Sequence, residues 1–368
     1  MPAARRLSGV YVLELAGRDD AFAAYEARSR ASDVRVVGAG LATARGIDRV
    51  ADLAFTHRAS ALVGTTDPDV ESARALLDAA AVDREGSVAV RAVDVRTTTG
   101  VDTRRAEREL GQVLVDRGFA VDLEDPDHEL RALFTGPLGA GSVADDADEG
   151  DPVPQGGVGA VDADAASVSD GDGLCALGWL DAESRREFTA RKPTDRPFFQ
   201  PGSMDPMLAR ALVNIAGARE GATVVDPMCG TGGVLIEAGL VGARVVGNDA
   251  QAKMVGGTRA NLRDALGDSG VFDVVRGDVT RLPLADDCAD AAVFDVPYGR
   301  QSKIEGDSLA DLVGGALAEA RRLAPRAVVV ADRSWDEAAE AAGWTVERRF
   351  ERRVHRSLVR HVHVLERA

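Results

Sequence analysis

The sequence of 368 residues predicts an α/β fold with a parallel sheet for its C-terminal half, preceded by an α+β region. Three observations carry this. From about Arg191 onward, strand-like apolar runs alternate regularly with helix-like runs, the pattern of a parallel sheet covered by helices. Before residue 139, short strand and helix patterns mix without that regularity. Between the two, residues 139–173 hold nine acidic residues and no basic one, and are rich in Gly, Ala and Ser. That segment has no sustained period and reads as a disordered insertion or linker. The organisation expected is therefore an N-terminal region over residues 1–181 and a C-terminal domain over 190–368.

In the N-terminal region, residues 10–15 alternate like a strand and 20–30 read as a helix. Residues 34–37 and 49–56 look like strands, and 72–81 like a helix. Residues 88–95 (VAVRAVDV) alternate apolar with polar, a half-buried strand. Residues 103–117 have helical apolar spacing, with Asp102 placed as an N-cap. Residues 121–123, 130–134 and 174–180 read as further strands. There is no tandem repeat.

In the C-terminal domain, 206–216 is a helix pattern, 223–225 a strand, and a Gly-rich turn leads into a helix over 234–240. A strand over 244–247 precedes a helix over 252–266. Strands follow at 272–276 and 291–294, then a helix over 308–322. Residues 326–331 form a short apolar run, typical of a fully buried parallel strand. A helix over 335–342 and a terminal hairpin, 345–354 with 358–365, complete the chain. In parallel sheets ligands bind outside the carboxyl ends of the strands, and each motif below lies just after a strand.

Composition narrows the setting. No run of about 18 apolar residues is present, so no transmembrane helix is expected, nor does the N-terminus read as a signal peptide. Cys175, Cys229 and Cys288 are far apart and form no CxxC pair, which fits a reducing cytoplasm. The formal net charge is −16, and only three of 44 basic residues are lysine. Abundant Asp with almost no Lys resembles proteins adapted to molar salt, where the screening length is about 3 Å. An acidic protein that never meets nucleic acid is the plainer reading of the charge alone.

The first motif is Asp226-Pro227-Met228-Cys229-Gly230-Thr231-Gly232-Gly233. Its glycines let the backbone turn sharply and approach a ligand, and the following helix aims its N–H groups into the turn. With neither GxxxxGK[ST] nor GxGxxG present, a nucleotide phosphate fits less well. The carboxylate of S-adenosylmethionine (SAM) fits the same helix N-terminus; a purely structural turn would also use the glycines. The second motif, Asn248-Asp249, lies about 20 residues on, where an acidic side chain can accept ribose hydroxyls; a helix cap is the alternative. The third is Gly277-Asp278, where Asp278 is placed to accept the adenine amine.

The fourth motif is Asp295-Val296-Pro297-Tyr298-Gly299. It looks like the [DNS]PP[YFW] motif of methyltransferases that modify exocyclic amines of bases. Such an amine is a poor nucleophile because its lone pair is delocalised. A carboxylate and a backbone carbonyl that accept its two N–H bonds favour transfer and stabilise developing positive charge. The resemblance implies Asp295 and the Val296 carbonyl as acceptors, Pro297 as a stiffener, and Tyr298 as a stacking platform for an extruded base. Valine at 296 departs from the usual proline, but the role there belongs to the backbone.

Together with Arg191-Lys192-Pro193, the stretch from Arg196 to Met204 and the end segment Val354-His355-Arg356-Ser357-Leu358, these motifs resemble THUMP-domain tRNA methyltransferases. Among these the resemblance is nearest to the archaeal enzymes that dimethylate N2 of guanine 10. It covers most of residues 190–360. It implies a Rossmann-like class I SAM-dependent methyltransferase domain, with a ferredoxin-like and THUMP region before it that grips tRNA. It also implies cofactor roles for Phe199, Pro201, Ser203, Asp226, Pro227, Cys229, Gly230, Thr231, Gly232, Asp249 and Asp278. Seven arginines between Glu347 and Arg367 suggest phosphate contacts through Arg349, Arg352, Arg353, Arg356 and Arg360; an ion-paired strand face is the plainer alternative. A second basic stretch runs from Arg185 to Arg196. The expected enzyme is a monomer with no metal, no membrane association and no obligatory activating subunit. Two other readings stay open: a DNA adenine-N6 or cytosine-N4 methyltransferase, and an inactive RNA-binding or assembly protein.

Overall fold

The computed structural model describes residues 7–139, 173–267, 272–297, 306–355 and 358–368. They form two compact units, one of residues up to 51 with 55–184, the other of 52–54 with 185 onward.

The first unit contains β1 (Leu7–Leu15), α1 (Asp20–Ala27), β2 (Ala31–Gly38), β3 (Leu41–Ile47), β4 (Thr56–Thr66), α2 (Val70–Ala79), β5 (Ser87–Asp94), α3 (Thr103–Asp116), β6 (Ala120–Val121), β7 (His128–Thr135) and β8 (Leu174–Glu183). The eight strands make one sheet in the order β2-β3-β1-β4-β8-β7-β5-β6. All three helices start on an aspartate, Asp19, Asp69 or Asp102, whose carboxylate accepts a first-turn N–H. Such a cap contributes about 1 kcal/mol and gives part of the Asp excess a structural use. Leu77, Leu110, Leu114, Leu130, Phe134 and Leu177 fill the core between α2, α3 and the sheet.

The strand expected over 49–56 is not formed. Val50–Asp52 is a short 3-10 turn, and the strands are β3 and β4 on either side of it. Val50, Leu53, Ala54 and Phe55 are buried, so the apolar run is a packed connection. Strand β4 (THRASALVGTT) hides from a period-two search because it lies inside the sheet between β1 and β8 and is partly covered on both faces.

The second unit contains α4 (Pro206–Ile215), β9 (Thr223–Asp226), α5 (Gly233–Leu240), β10 (Arg244–Asp249), α6 (Ala252–Leu266), β11 (Phe272–Arg276), β12 (Ala291–Asp295), α7 (Gly306–Leu323), β13 (Arg326–Ala331), α8 (Asp336–Ala341), β14 (Trp344–His355) and β15 (Leu358–Arg367). The sheet order is β11-β10-β9-β12-β13-β15-β14. Strands β9 to β13 are parallel to one another, and β15 runs antiparallel to β13 and β14. This is the α/β sheet the alternation predicts, with the terminal hairpin in place. Strand β13 (RAVVVA) is almost wholly buried, and its Val329 shares a core with Phe294, Val313, Leu317, Leu323 and Trp344. Burying such a Leu or Phe contributes roughly 1.5–3 kcal/mol.

Chain order reverses at β9, whose neighbours are β10 and β12. The crevice at the carboxyl ends of β9 and β12 is therefore the topological switch point, where α/β sheets bind ligands. Among the described residues no helix is long and apolar enough to cross a membrane.

Candidate active site

Three aspartates end three adjacent strands: Asp226 on β9, Asp249 on β10 and Asp295 on β12. Asp226 is 2% exposed, and its Oδ1 accepts the Met228 N–H at 3.0 Å. Burial holds its carboxyl well above the usual carboxylate range, against that hydrogen bond; the charges of Asp249 and Asp295 push the same way as burial. Asp249 is half-buried and also raised by desolvation, which the Gln251 and Gly230 N–H groups oppose. Those groups donate to Asp249 Oδ1 at 2.8 Å and Oδ2 at 3.1 Å. Asp249 thus ties the second strand end to the glycine turn. The N-cap of α6 is Gln251, without a side-chain bond.

The turn requires its glycines. Gly230 (φ +53°) and Gly232 (φ +80°) are left-handed. A Cβ on Gly232 would lie 2.8 Å from Thr258 Cγ2, whereas one on Gly230 would project into open space. Thr258 Oγ1 donates to the Gly230 carbonyl at 2.7 Å, and the Cys229 N–H donates to the Asn248 carbonyl at 2.9 Å. Cys229 and Thr231 are buried, as is Pro227. Burial pushes the Cys229 thiol up, making it inert packing. The result is a rigid cradle, open at Gly230, with a half-buried carboxylate beside it whose oxygens keep further acceptor capacity. This donor and acceptor set fits the amino-acid end and ribose of SAM.

Of the preceding segment, Ser203 joins the site: its hydroxyl lies 3.0 Å from Thr231 Oγ1 and donates to the Gln200 carbonyl at 2.7 Å. Phe199 and Pro201 are exposed, Phe199 by 41%. The neighbouring Phe198 is the docked ring, lying where a Cβ on Gly257 of α6 would be. Two asparagines hold the loops together: Asn261, which no sequence motif includes, and Asn248, which the second motif includes without a role. Asn261 Nδ2 donates to the Thr231 carbonyl at 2.9 Å, and Asn248 Nδ2 donates to the carbonyls of Pro227 and Gly277 at 3.0 and 3.1 Å. Their one advance signal is an asparagine at a position the helix or strand pattern buries. Asp278 is exposed, and its Oδ1 accepts from the Thr280 N–H and hydroxyl at 2.9 and 2.8 Å.

In the fourth motif, Val296 is buried in the core and its N–H donates to the Val330 carbonyl at 2.8 Å. Proline, the usual residue there, has no N–H to give, so valine anchors the loop in a way the common motif cannot. Pro297 is half-buried. Tyr298 and Arg356 lie outside the described residues.

The expected arginine face divides. Arg353 is exposed and Arg352 half-buried on β14. Arg349 binds Asp336 at 2.8 Å and lies 3.8 Å from Glu351, the ion-paired alternative. Arg360 corrects the surface reading: it is 6% exposed, because β15 lies inside the sheet, and its Nη2 is 3.7 Å from Asp295 Oδ2. In the other basic stretch, Arg191 reaches the buried Glu237 at 2.9 Å, and Arg210 reaches it at 2.8 Å.

A family model described as RMKL-like, methyltransferase domain, matches residues 193–362. The tRNA (guanine(10)-N2)-dimethyltransferase of Methanothermobacter thermautotrophicus is 34% identical over 328 residues, covering 86% of this chain and 83% of that protein. The chain belongs to the tRNA (guanine(10)-N2)-dimethyltransferase family. The family's Pyrococcus abyssi member is 37% identical over 188 residues, 49% of this chain and 55% of that protein. The crystal structure of TrmN from Thermus thermophilus aligns over 98% of this chain and 100% of that one, at 20% identity and a TM-score of 0.46. Membership in the dimethyltransferase family lends no support to the DNA-modifying or inactive readings.

Proposed function

We propose that this protein methylates the exocyclic N2 of a guanosine in tRNA, at position 10, adding first one methyl group and then a second. The observation that carries the reading is the row of Asp226, Asp249 and Asp295 at the carboxyl ends of β9, β10 and β12, around the switch point. Bound SAM supplies an electrophilic methyl group. Asp249 accepts its ribose hydroxyls, and Asp278 its adenine amine. The turn from Pro227 to Gly232, with Ser203 and the Phe199–Pro201 stretch, holds its amino-acid end. Asp295 and the Val296 carbonyl accept the two N2–H bonds and so orient the nitrogen lone pair. Tyr298 stacks on the guanine once it leaves its helix.

In this reading residues 1–181 form the ferredoxin-like and THUMP region that grips tRNA, and Arg352 and Arg353 contact phosphates. The protein acts in the cytoplasm as a monomer without metal or activating subunit, and at high salt, in keeping with its −16 charge. Purified protein in molar KCl should bind SAM and label unmodified tRNA transcript but not duplex DNA. Labelled DNA would move the assignment to the adenine-N6 or cytosine-N4 class, and failure to bind SAM would leave an RNA-binding protein.

A further inference from the structure

We propose that Arg360 is a positioning residue for Asp295, flanking its carboxylate so that it is held as the charged acceptor for the substrate amine. The inference rests on the reading of Asp295 as the amine acceptor.

The topology makes the contact possible. Asp295 pairs with Val330 of β13, and Val330 with Val362 of β15. The ladder between β13 and β15 ends at Ala331 opposite His361. Arg360 is the next residue outward, past the last residue of β13, so no strand side chain stands between it and the end of β12. Two strand spacings separate β15 from β12, about 9–10 Å, a span that a long side chain and an aspartate bridge from both sides. The Arg360 Nη2 to Asp295 Oδ2 distance is 3.7 Å, with the arginine buried and the aspartate side chain 24% exposed. Asp295 Oδ1 is buried, so the carboxylate is reached from its Oδ2 side, next to the guanidinium.

The electrostatics give the pair a purpose. Asp226 faces Asp295 from β9, and Asp249 adds a third carboxylate from β10. The charges of Asp249 and Asp295 both disfavour the charged form of Asp226. A buried guanidinium against Asp295 offsets that repulsion at the carboxylate that must stay a charged acceptor. At 3.7 Å the contact is an ion pair and acts on the carboxylate through charge. An ammonium at the same place would supply much of the same charge.

The test compares Arg360→Ala, Arg360→Lys, Asp295→Asn and the double variant Asp295→Asn/Arg360→Ala, using labelled SAM and unmodified tRNA transcript. Thermal unfolding and SAM binding of each variant confirm folding. Arg360→Ala should lower kcat roughly 10-fold, the scale of losing one close counter-charge beside a part-buried carboxylate. The KM for tRNA and its salt dependence should stay near those of the parent. The acidic limb of its kcat–pH profile should move to higher pH, and Arg360→Lys should recover part of the rate. Adding Arg360→Ala to Asp295→Asn should cost little more, because the two act as a unit. A raised KM with unchanged kcat and a shallower salt slope would overturn the proposal and return Arg360 to phosphate binding. Equal losses in Ala and Lys with an unmoved pH limb would leave a structural role only. Full activity in Asp295→Asn would fail the underlying reading instead, a result separable from any failure at Arg360.

Discussion

Asn261 and Phe198 are joined by a reciprocal pair of hydrogen bonds: the Asn261 side-chain carbonyl accepts the Phe198 N–H, and its amide donates to the Phe198 carbonyl, both at 2.8 Å. The same amide reaches the Thr231 carbonyl at 2.9 Å. One buried side chain of α6 therefore fixes the segment before α4 and the glycine turn after β9 together. Replacing it with alanine strands buried backbone groups at about 1–3 kcal/mol each. Asn261→Ala is expected to lower the urea midpoint and to weaken SAM binding in calorimetry more than tRNA binding. Unchanged SAM affinity in a folded variant would show that the two segments need no tie.

Asp249 keeps Gly230 and Gln251 in place and offers acceptors to the ribose. Asp249→Ala removes both, and Asp249→Asn the charge. A lost charge-assisted hydrogen bond costs about 1.5–3 kcal/mol, so SAM dissociation constants should rise roughly 10- to 150-fold. The rate at saturating SAM should fall much less, since Asp249 touches no reacting atom. A large kcat defect at saturation would place Asp249 in the chemistry.

Asp226 should reveal a conflict between stability and function. Its folded carboxyl is raised above the unfolded value of about 3.9, chiefly by burial. A raised group contributes stability that is complete below the unfolded value and is lost as pH rises through the folded one. At neutral pH the charged form is thus a burden. Asp226→Asn should unfold at higher urea than the parent at pH 7, with a smaller gain at pH 4, while binding SAM more weakly. A variant less stable at pH 7 would contradict this.

Gly232 sits at φ +80° with Thr258 against its missing Cβ. Gly232→Ala adds left-handed strain of about 1–2 kcal/mol and a clash 2.8 Å from Thr258 Cγ2. Lower thermal stability and weaker SAM binding are expected. Gly232→Ala/Thr258→Ser, which removes that methyl group, should recover part of both; no recovery would place the damage in the backbone alone.

Much of this site is legible in the sequence because its chemistry is local. A strand followed by Asp and Gly announces a cradle, and Asp295-Val296-Pro297 follows its strand directly. What the sequence hides depends on register between distant strands. Arg360 reads as one of seven basic residues on a hairpin until β15 is seen to lie between β13 and β14. Asn261 reads as a polar helix position until α6 is packed against Phe198. Strand β4 escapes because an interior strand of small residues has no period to find. Arg349 shows the reverse: its charge is legible, but its partner Asp336 starts helix α8, eight residues before the first residue of β14.

The central measurement is the identity of the nucleoside that this protein labels. Unmodified tRNA transcript and labelled SAM in molar KCl, digested after reaction, should give N2-methylguanosine and then N2,N2-dimethylguanosine. Both should vanish when guanine 10 is replaced and when Asp295→Ala is used. Label on another base, or undiminished label with Asp295→Ala, would contradict the assignment of N2 of guanine 10 to the carboxylate at the end of β12.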